Sequence, residues 1–264
     1  MKKLYFILLL ALPFLAQGQS KISSPTAIWP ELQASYGLGE DGLLFFRNQY
    51  RINTDGRYND LKESGAFSGF ERVELALGYE HALSEHWRGG AMFRYAAEDY
   101  PKTSFYSLFL RHNGNIRSLF FNKQLMAEYM NQQDQEALGR FRMQGEFGKR
   151  LPLRSRFMTP SLSFEALVLA DFNKAEGTGN EERYIDRTRL RLNLTYEMTE
   201  KLRITPYSMR QTDYYYVLVP PVYDAQEQLL EEGYTTTRNR ISPVVGLEVK
   251  YTFNRAPDTA SITY

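Results

Sequence analysis

The side chains best suited to acid–base work in this sequence are its three histidines, His81, His86 and His112. There is no cysteine, which excludes thiolate nucleophiles, disulfides and thiolate zinc sites together. Three histidines without cysteine are a poor basis for a transition-metal site. Ser84-Glu85-His86 contains the residue types of a nucleophile, an orienter and a base. A Ser and a His two apart in a tight turn cannot adopt that geometry without a further element. The triplet therefore reads as a structural turn, and the chain is expected not to be an enzyme, with no catalytic residue, metal or cofactor. Gly37-Leu38-Gly39-Glu40-Asp41-Gly42 spells G-x-G-x-x-G. That fingerprint needs a helix opening at its third glycine, so that free amides meet a pyrophosphate. Here Leu43-Leu44-Phe45-Phe46 follows, which has the character of a strand, and Glu40 and Asp41 would repel phosphate. This segment reads as a turn.

The remaining chemistry is carried by arginine, and its spacing shows which elements must position it. Arg187, Arg189 and Arg191 alternate with Leu190, Leu192 and Leu194 along one segment. The same period of two runs through Arg72–Glu80 with Val73, Leu75, Leu77 and Tyr79, through Arg140–Arg150, and through Arg240–Phe253. Weaker versions occupy 42–54, 87–98, 104–112, 116–130, 157–171 and 202–216. Successive strand side chains point to opposite faces, so each segment has one apolar and one charged face. The segments exceed the roughly five or six residues of soluble strands. Rings gather near their ends at Tyr50, Trp87, Tyr129, Tyr184, Tyr196, Tyr251 and Phe253, as expected of an aromatic girdle at a membrane–water interface. The expected fold is all-β: an antiparallel up-and-down transmembrane β-barrel of about ten strands, alternatively twelve.

Connection lengths orient this barrel. Short links at 83–86, 113–115, 152–156 and 198–201 alternate with longer ones at 55–69, 99–103, 131–138, 172–182 and 217–234. Outer-membrane barrels keep short turns in the periplasm and long loops outside. With 42–253 as the barrel, both termini are expected in the periplasm. Residues 27–36 also alternate; they read as a lead-in within a 19–41 segment, the alternatives being a segment tucked into the lumen or one strand of twelve. Residues 224–232 read as a short amphipathic helix over the mouth, and Pro160, Pro206 and Pro243 as sites of bulges or breaks.

Residues 1–18, with Lys2-Lys3, the apolar run Leu4–Leu15 and Ala16-Gln17-Gly18, form a cleavable signal peptide. Export to the outer membrane is expected. The whole chain carries 32 Lys+Arg against 31 Asp+Glu, which gives no electrostatic case for nucleic acid. The expected partners are outer-membrane lipids, the barrel-assembly machinery during insertion, and an unknown protein docking on the outer loops.

Inward-facing charge is then the candidate functional feature. The predicted lumen network comprises Arg47, Arg51, Arg72, Glu74, Arg94, Arg140, Arg142, Glu146, Glu165, Arg187, Arg189, Arg191, Arg240 and Glu248. Arg111, Arg238, Glu80, Glu98 and Glu128 extend it. Buried charge must be paired, so a structural or accessory barrel filled by Arg–carboxylate pairs is preferred. A small passive channel for anionic solutes is the alternative, because rings of Arg favour anions. A His-dependent barrel hydrolase ranks below both.

The chain resembles an uncharacterised family of exported proteins of Gram-negative bacteria known only as a domain of unknown function. The resemblance rests on Trp29, the aromatic strand ending in Arg51, the Tyr79 strand with its short turn, Arg94-Tyr95, Arg187–Arg191, Pro206-Tyr207 and the Tyr251-Thr-Phe253 finish. It implies an outer-membrane β-barrel and carries no activity. The present chain continues past that finish to Tyr264, so the assembly signal is either Tyr251/Phe253 or Ile262/Tyr264.

Overall fold

The computed structural model describes residues 20–61, 69–99, 101–171, 185–224, 226 and 228–254 of the chain. The signal-peptide reading for 1–18, the girdle residue Tyr184 and the alternative end Ile262/Tyr264 lie outside these residues. Eleven strands form a closed wall: β2 (Ala27–Leu38), β3 (Gly42–Asn53), β4 (Arg72–Ala82), β5 (Trp87–Ala97), β6 (Thr103–Ile116), β7 (Leu119–Gln132), β8 (Leu138–Gly148), β10 (Arg156–Asp171), β11 (Ile185–Glu197), β12 (Leu202–Val219) and β15 (Tyr234–Thr252). Short pieces extend it. β1 (Ser20–Ser23) pairs in parallel with β15, and β9 (Leu151–Leu153) pairs with β10. Consecutive wall strands are antiparallel throughout.

The closure corrects the expected count and topology. Residues 27–38 are not a lead-in: they form a wall strand, hydrogen-bonded to β3 on one side and parallel to β15 on the other. With an odd number of antiparallel strands, the first and last necessarily run in the same direction, so the barrel closes on a parallel pair. It follows that β2 starts at the end of the long connections while β15 finishes at the end of the short turns. The expectation that both termini share one end is overturned by that single extra strand. Followed sideways from Gly37, the ladder passes through Glu80, Phe109, Arg142, Arg187 and Arg240 and returns to the chain at Ile22, near the opposite mouth. The strands are therefore steeply tilted, as closure requires.

Local chemistry explains the connections. Gly39 at φ +66° makes the turn between β2 and β3, and a Cβ at Gly42 would stand 2.6 Å from Leu38 O, too close to fit. The turn expected at 113–115 is displaced: Asn113, Gly114 and Asn115 are still paired with 120–122, and the chain reverses at Arg117-Ser118. The described residues of 224–232 form no helix; β13 (Val222–Tyr223) and β14 (Leu229–Glu231) pair there as a small two-stranded sheet. Pro206 coincides with a gap in the β11–β12 ladder, and Pro30 with one in β2–β3, yet neither changes register. A proline lacks the N–H but keeps the pleat. The register shift in the wall lies instead between Leu167 and Val168. Pro160 and Pro243 are paired in unshifted ladders.

Outward positions are apolar: Leu32, Leu77, Phe93, Leu108, Leu125, Phe141, Leu192 and Leu247 stand exposed on the outer surface. Inward positions are polar, with three apolar patches among them. Phe45, Ala76, Met92, Phe109 and Met126 pack on one wall, Ala27, Trp29, Tyr207, Met209 and Val244 on the facing wall, and Ala96, Phe105 and Met130 near the long-connection mouth. No helix among the described residues is long and apolar enough to cross a membrane.

Candidate functional site

The lumen is built by strand parity. On each strand every second residue enters the barrel, so charges spaced by two in sequence stack along its inner wall. Glu74 on β4 is the most heavily contacted carboxylate. Its side chain is 1% exposed and meets Arg47 and Arg72 at 2.9 Å, Arg94 at 3.2 Å and Arg51 at 3.7 Å. Arg94 also reaches Glu128 at 2.8 Å, and Glu128 accepts from Arg140 Nε at 2.6 Å, with Arg142 at 3.7 Å. Arg142 and Arg189 flank Glu165 at 3.7 and 3.0 Å. Arg51, Glu74, Arg94, Glu128, Arg142, Glu165 and Arg189 thus form one uninterrupted chain of ion pairs from β3 to β11. Arginine suits this use because its planar fork serves two carboxylates at once.

Smaller clusters extend the network towards both mouths. At the short-turn end Glu80 is held by Arg88 Nε at 2.5 Å and by Arg111 at 2.9 Å. On the facing wall Arg191 lies 3.1 Å from Glu248 and 3.5 Å from Glu31, with its guanidinium over the Tyr207 ring. Tyr207 donates a short hydrogen bond to Glu31. At the long-connection mouth Asp213 takes Arg187 at 2.5 Å and the half-exposed Arg240 at 3.4 Å, while Arg72 pairs Glu98. Glu146 accepts from Ser161 Oγ at 2.6 Å. All fourteen lumen residues singled out in the sequence take part in this interior or stand at its rim.

Sequence reading missed Glu31, Arg88, Tyr207, Asp213, Lys250 and Trp29, all buried inside. Their signal was present. Glu31 and Trp29 share the inward parity of a strand taken for a lead-in, and Arg88 precedes Gly90, Met92 and Arg94 on the inward side of β5.

In the middle of the lumen the side chains leave a cavity of about 50 Å³. Trp29 and six arginines (Arg47, Arg51, Arg94, Arg142, Arg189 and Arg191) line it, together with Glu31, Glu74, Glu146 and Glu165. That is room for a few water-sized groups. An eleven-stranded wall is wider than the eight strands that side chains easily fill, and the long Arg, Trp and Tyr side chains occupy the difference.

The histidines stand apart. Tyr79 Oη lies 3.3 Å from His81 Nδ1, the His86 and His112 rings are 6.1 Å apart, and Trp87 packs edge-on against His112 at 4.7 Å. Ser84 Oγ accepts the Trp87 amide at 3.2 Å and so caps the turn. Among the described residues no group of three His, Asp or Glu is disposed to hold a metal ion. Of the girdle candidates, Trp87, Tyr129, Tyr196, Tyr251 and Phe253 face outward and exposed, and Tyr50 stacks against Phe70 at 5.0 Å.

No family model and no curated protein matches the chain. Among solved structures it is similar to the NanC porin in a rhombohedral crystal form, at TM-score 0.41 and 13% identity, over 83% of this chain and 90% of that one. It is also similar to LpxR from Salmonella typhimurium, at TM-score 0.42 and 9% identity, over 84% and 87%. None of these comparisons identifies the family that the sequence resembles. The expectation that the chain is not an enzyme does not stand.

Proposed function

We propose that the chain is a structural or accessory barrel of the bacterial outer membrane, exported by a cleaved signal peptide, whose lumen is sealed by its own ion pairs. The observation that carries this reading is the small cavity left in a lumen lined from β3 round to β11 by the Arg51–Arg189 chain of ion pairs. The outward band of Leu, Phe and Tyr supports a lipid-facing exterior, because in water such a surface would drive aggregation. Short turns face the periplasm and long connections the outside. The lipids of the outer membrane cover the wall, the barrel-assembly machinery inserts it, and the long connections offer a surface to a protein partner.

The competing reading is a passive channel for anionic solutes. It needs a continuous aqueous path, which the arginine pairs oppose by filling the bore. Purified protein in planar bilayers decides between them: the sealed barrel gives no stepwise conductance in molar salt, whereas reproducible unitary steps would overturn it.

A further inference from the structure

The central cavity is bounded unevenly by charge. Six guanidiniums face it against four carboxylates. Two of those guanidiniums are poorly matched. Arg51 has its carboxylate, Glu74, only at 3.7 Å, and Arg142 has both of its carboxylates, Glu128 and Glu165, at 3.7 Å. Both arginines are buried. Trp29, 5% exposed, lines the same cavity and its indole N–H has no acceptor; Arg142 Nε is likewise buried without one. The Arg51 guanidinium lies 4.1 Å from the centre of the Trp29 ring and that of Arg189 5.7 Å. A buried donor without an acceptor forfeits its hydration, and a buried cation without a close counter-charge forfeits more. These groups converge on one cavity large enough for a small ion but not for a solute of metabolite size.

We propose that this cavity is a binding site for one small inorganic anion of halide size, held at its Trp29 end by Arg51, Arg142 and the indole N–H. The inference rests on the sealed-lumen reading. The free Oε2 atoms of Glu31 and Glu146 line the same cavity; they repel an anion from their end and take water there. The bound anion completes the neutralisation of the lumen, so it belongs to the folded barrel and enters as the strands close around it.

The chain has two tryptophans, so a Trp87→Phe background leaves Trp29 as the reporter. That protein is refolded from urea into detergent micelles in sodium chloride or in sodium gluconate of equal ionic strength. Folding is checked by heat-modifiable migration. Chloride is expected to give a saturable shift of Trp29 emission and to raise the urea midpoint, whereas gluconate, too large for the cavity, does neither. Arg51→Gln is expected to weaken the chloride response at least tenfold, and Arg51→Lys to retain part of it. Crystals grown from protein refolded in bromide are expected to show one anomalous peak beside Trp29 Nε1. Superimposable Trp29 emission and urea midpoints for protein refolded across matched chloride and gluconate concentrations overturn the proposal, as do bromide peaks confined to the outer surface (an adventitious ion only). If Arg51→Gln does not fold, the titration and the bromide density still decide. Unitary conductance in bilayers refutes the sealed lumen, while a silent barrel without anion dependence refutes the anion site alone.

Discussion

Glu74→Gln is the substitution that the lumen should tolerate least. The carboxylate is 1% exposed and four arginines converge on it between 2.9 and 3.7 Å. Once it is neutral, Arg94 keeps Glu128 and Arg72 keeps Glu98. Arg47 and Arg51 lose the carboxylate that faces them. A unit-charge pair near 4 Å is worth about 4 kcal/mol at an effective dielectric of roughly 20, and two such pairs are cancelled. Part of that is offset, because neutral Gln is cheaper to bury than Glu and still accepts a hydrogen bond. Breaking a buried pair by removing one partner costs about 3–5 kcal/mol, and the same range is expected here. The assay is equilibrium unfolding in urea of barrel folded into lipid vesicles, followed by heat-modifiable migration and tryptophan emission. Glu98→Gln is the control: Glu98 is 34% exposed at the mouth, and its loss should cost less than about 1 kcal/mol. Equal, small effects of the two substitutions would refute the view that the arginines are held in place by buried charge.

Closure by β2 is tested by Leu32→Cys with Val249→Cys, a register pair across the parallel seam in a chain with no native cysteine. Neighbouring strands lie about 4.8 Å apart, within disulfide reach, so mild oxidation should cross-link this pair and not Leu32→Cys with Val245→Cys; failure of both pairs to cross-link would refute closure by β2. Gly246→Ala would place a methyl 2.0 Å from the Tyr207 ring, whereas at Gly145 the nearest atom is 3.7 Å away. Urea midpoints should show a loss of about 1–3 kcal/mol for the first and little for the second. Burial raises the Glu71 carboxyl, just before β4, above the usual carboxylate range. Its protonated form is therefore favoured in the folded state, so its contribution is fully present below the ordinary carboxylate pKa and is lost as pH rises through the raised one. Glu71→Gln should abolish that part of the pH dependence, measured by unfolding from mildly acidic to neutral pH.

What the sequence revealed follows from which forces act within one strand. The alternation of Arg187, Arg189 and Arg191 with Leu190, Leu192 and Leu194 is a property of the pleat alone, so inward and outward faces could be read without knowing the neighbours. Pairing could not. That Arg142 meets Glu128 and Glu165, rather than Glu146 on its own strand, depends on stagger between β7, β8 and β10, and stagger is fixed only by closure. Turn position was uncertain for a related reason: Asn113-Gly114-Asn115 has strong turn chemistry, yet the strands gain more by pairing three residues further, with Arg117 accepting a left-handed φ of 56°. Local propensity lost to the ladder there.

The misplaced N-terminal segment has a more general cause. Judged alone, Ala27–Leu38 carries one proline and four large outward residues of lipid-facing character, Ile28, Leu32, Tyr36 and Leu38. Its value lies inward. Trp29, Glu31, Gln33 and Ser35 enter the lumen and are all buried, and Glu31 receives both Tyr207 from β12 and Arg191 from β11, reaching past β15. Remove β2 and β3 must pair directly with β15, which leaves Arg191 and Tyr207 without their shared carboxylate and Arg51 without the ring it stacks on. The count of eleven is thus settled from inside the barrel: the interior charges need the carboxylate that β2 supplies, and the parallel seam is the geometry that admits it.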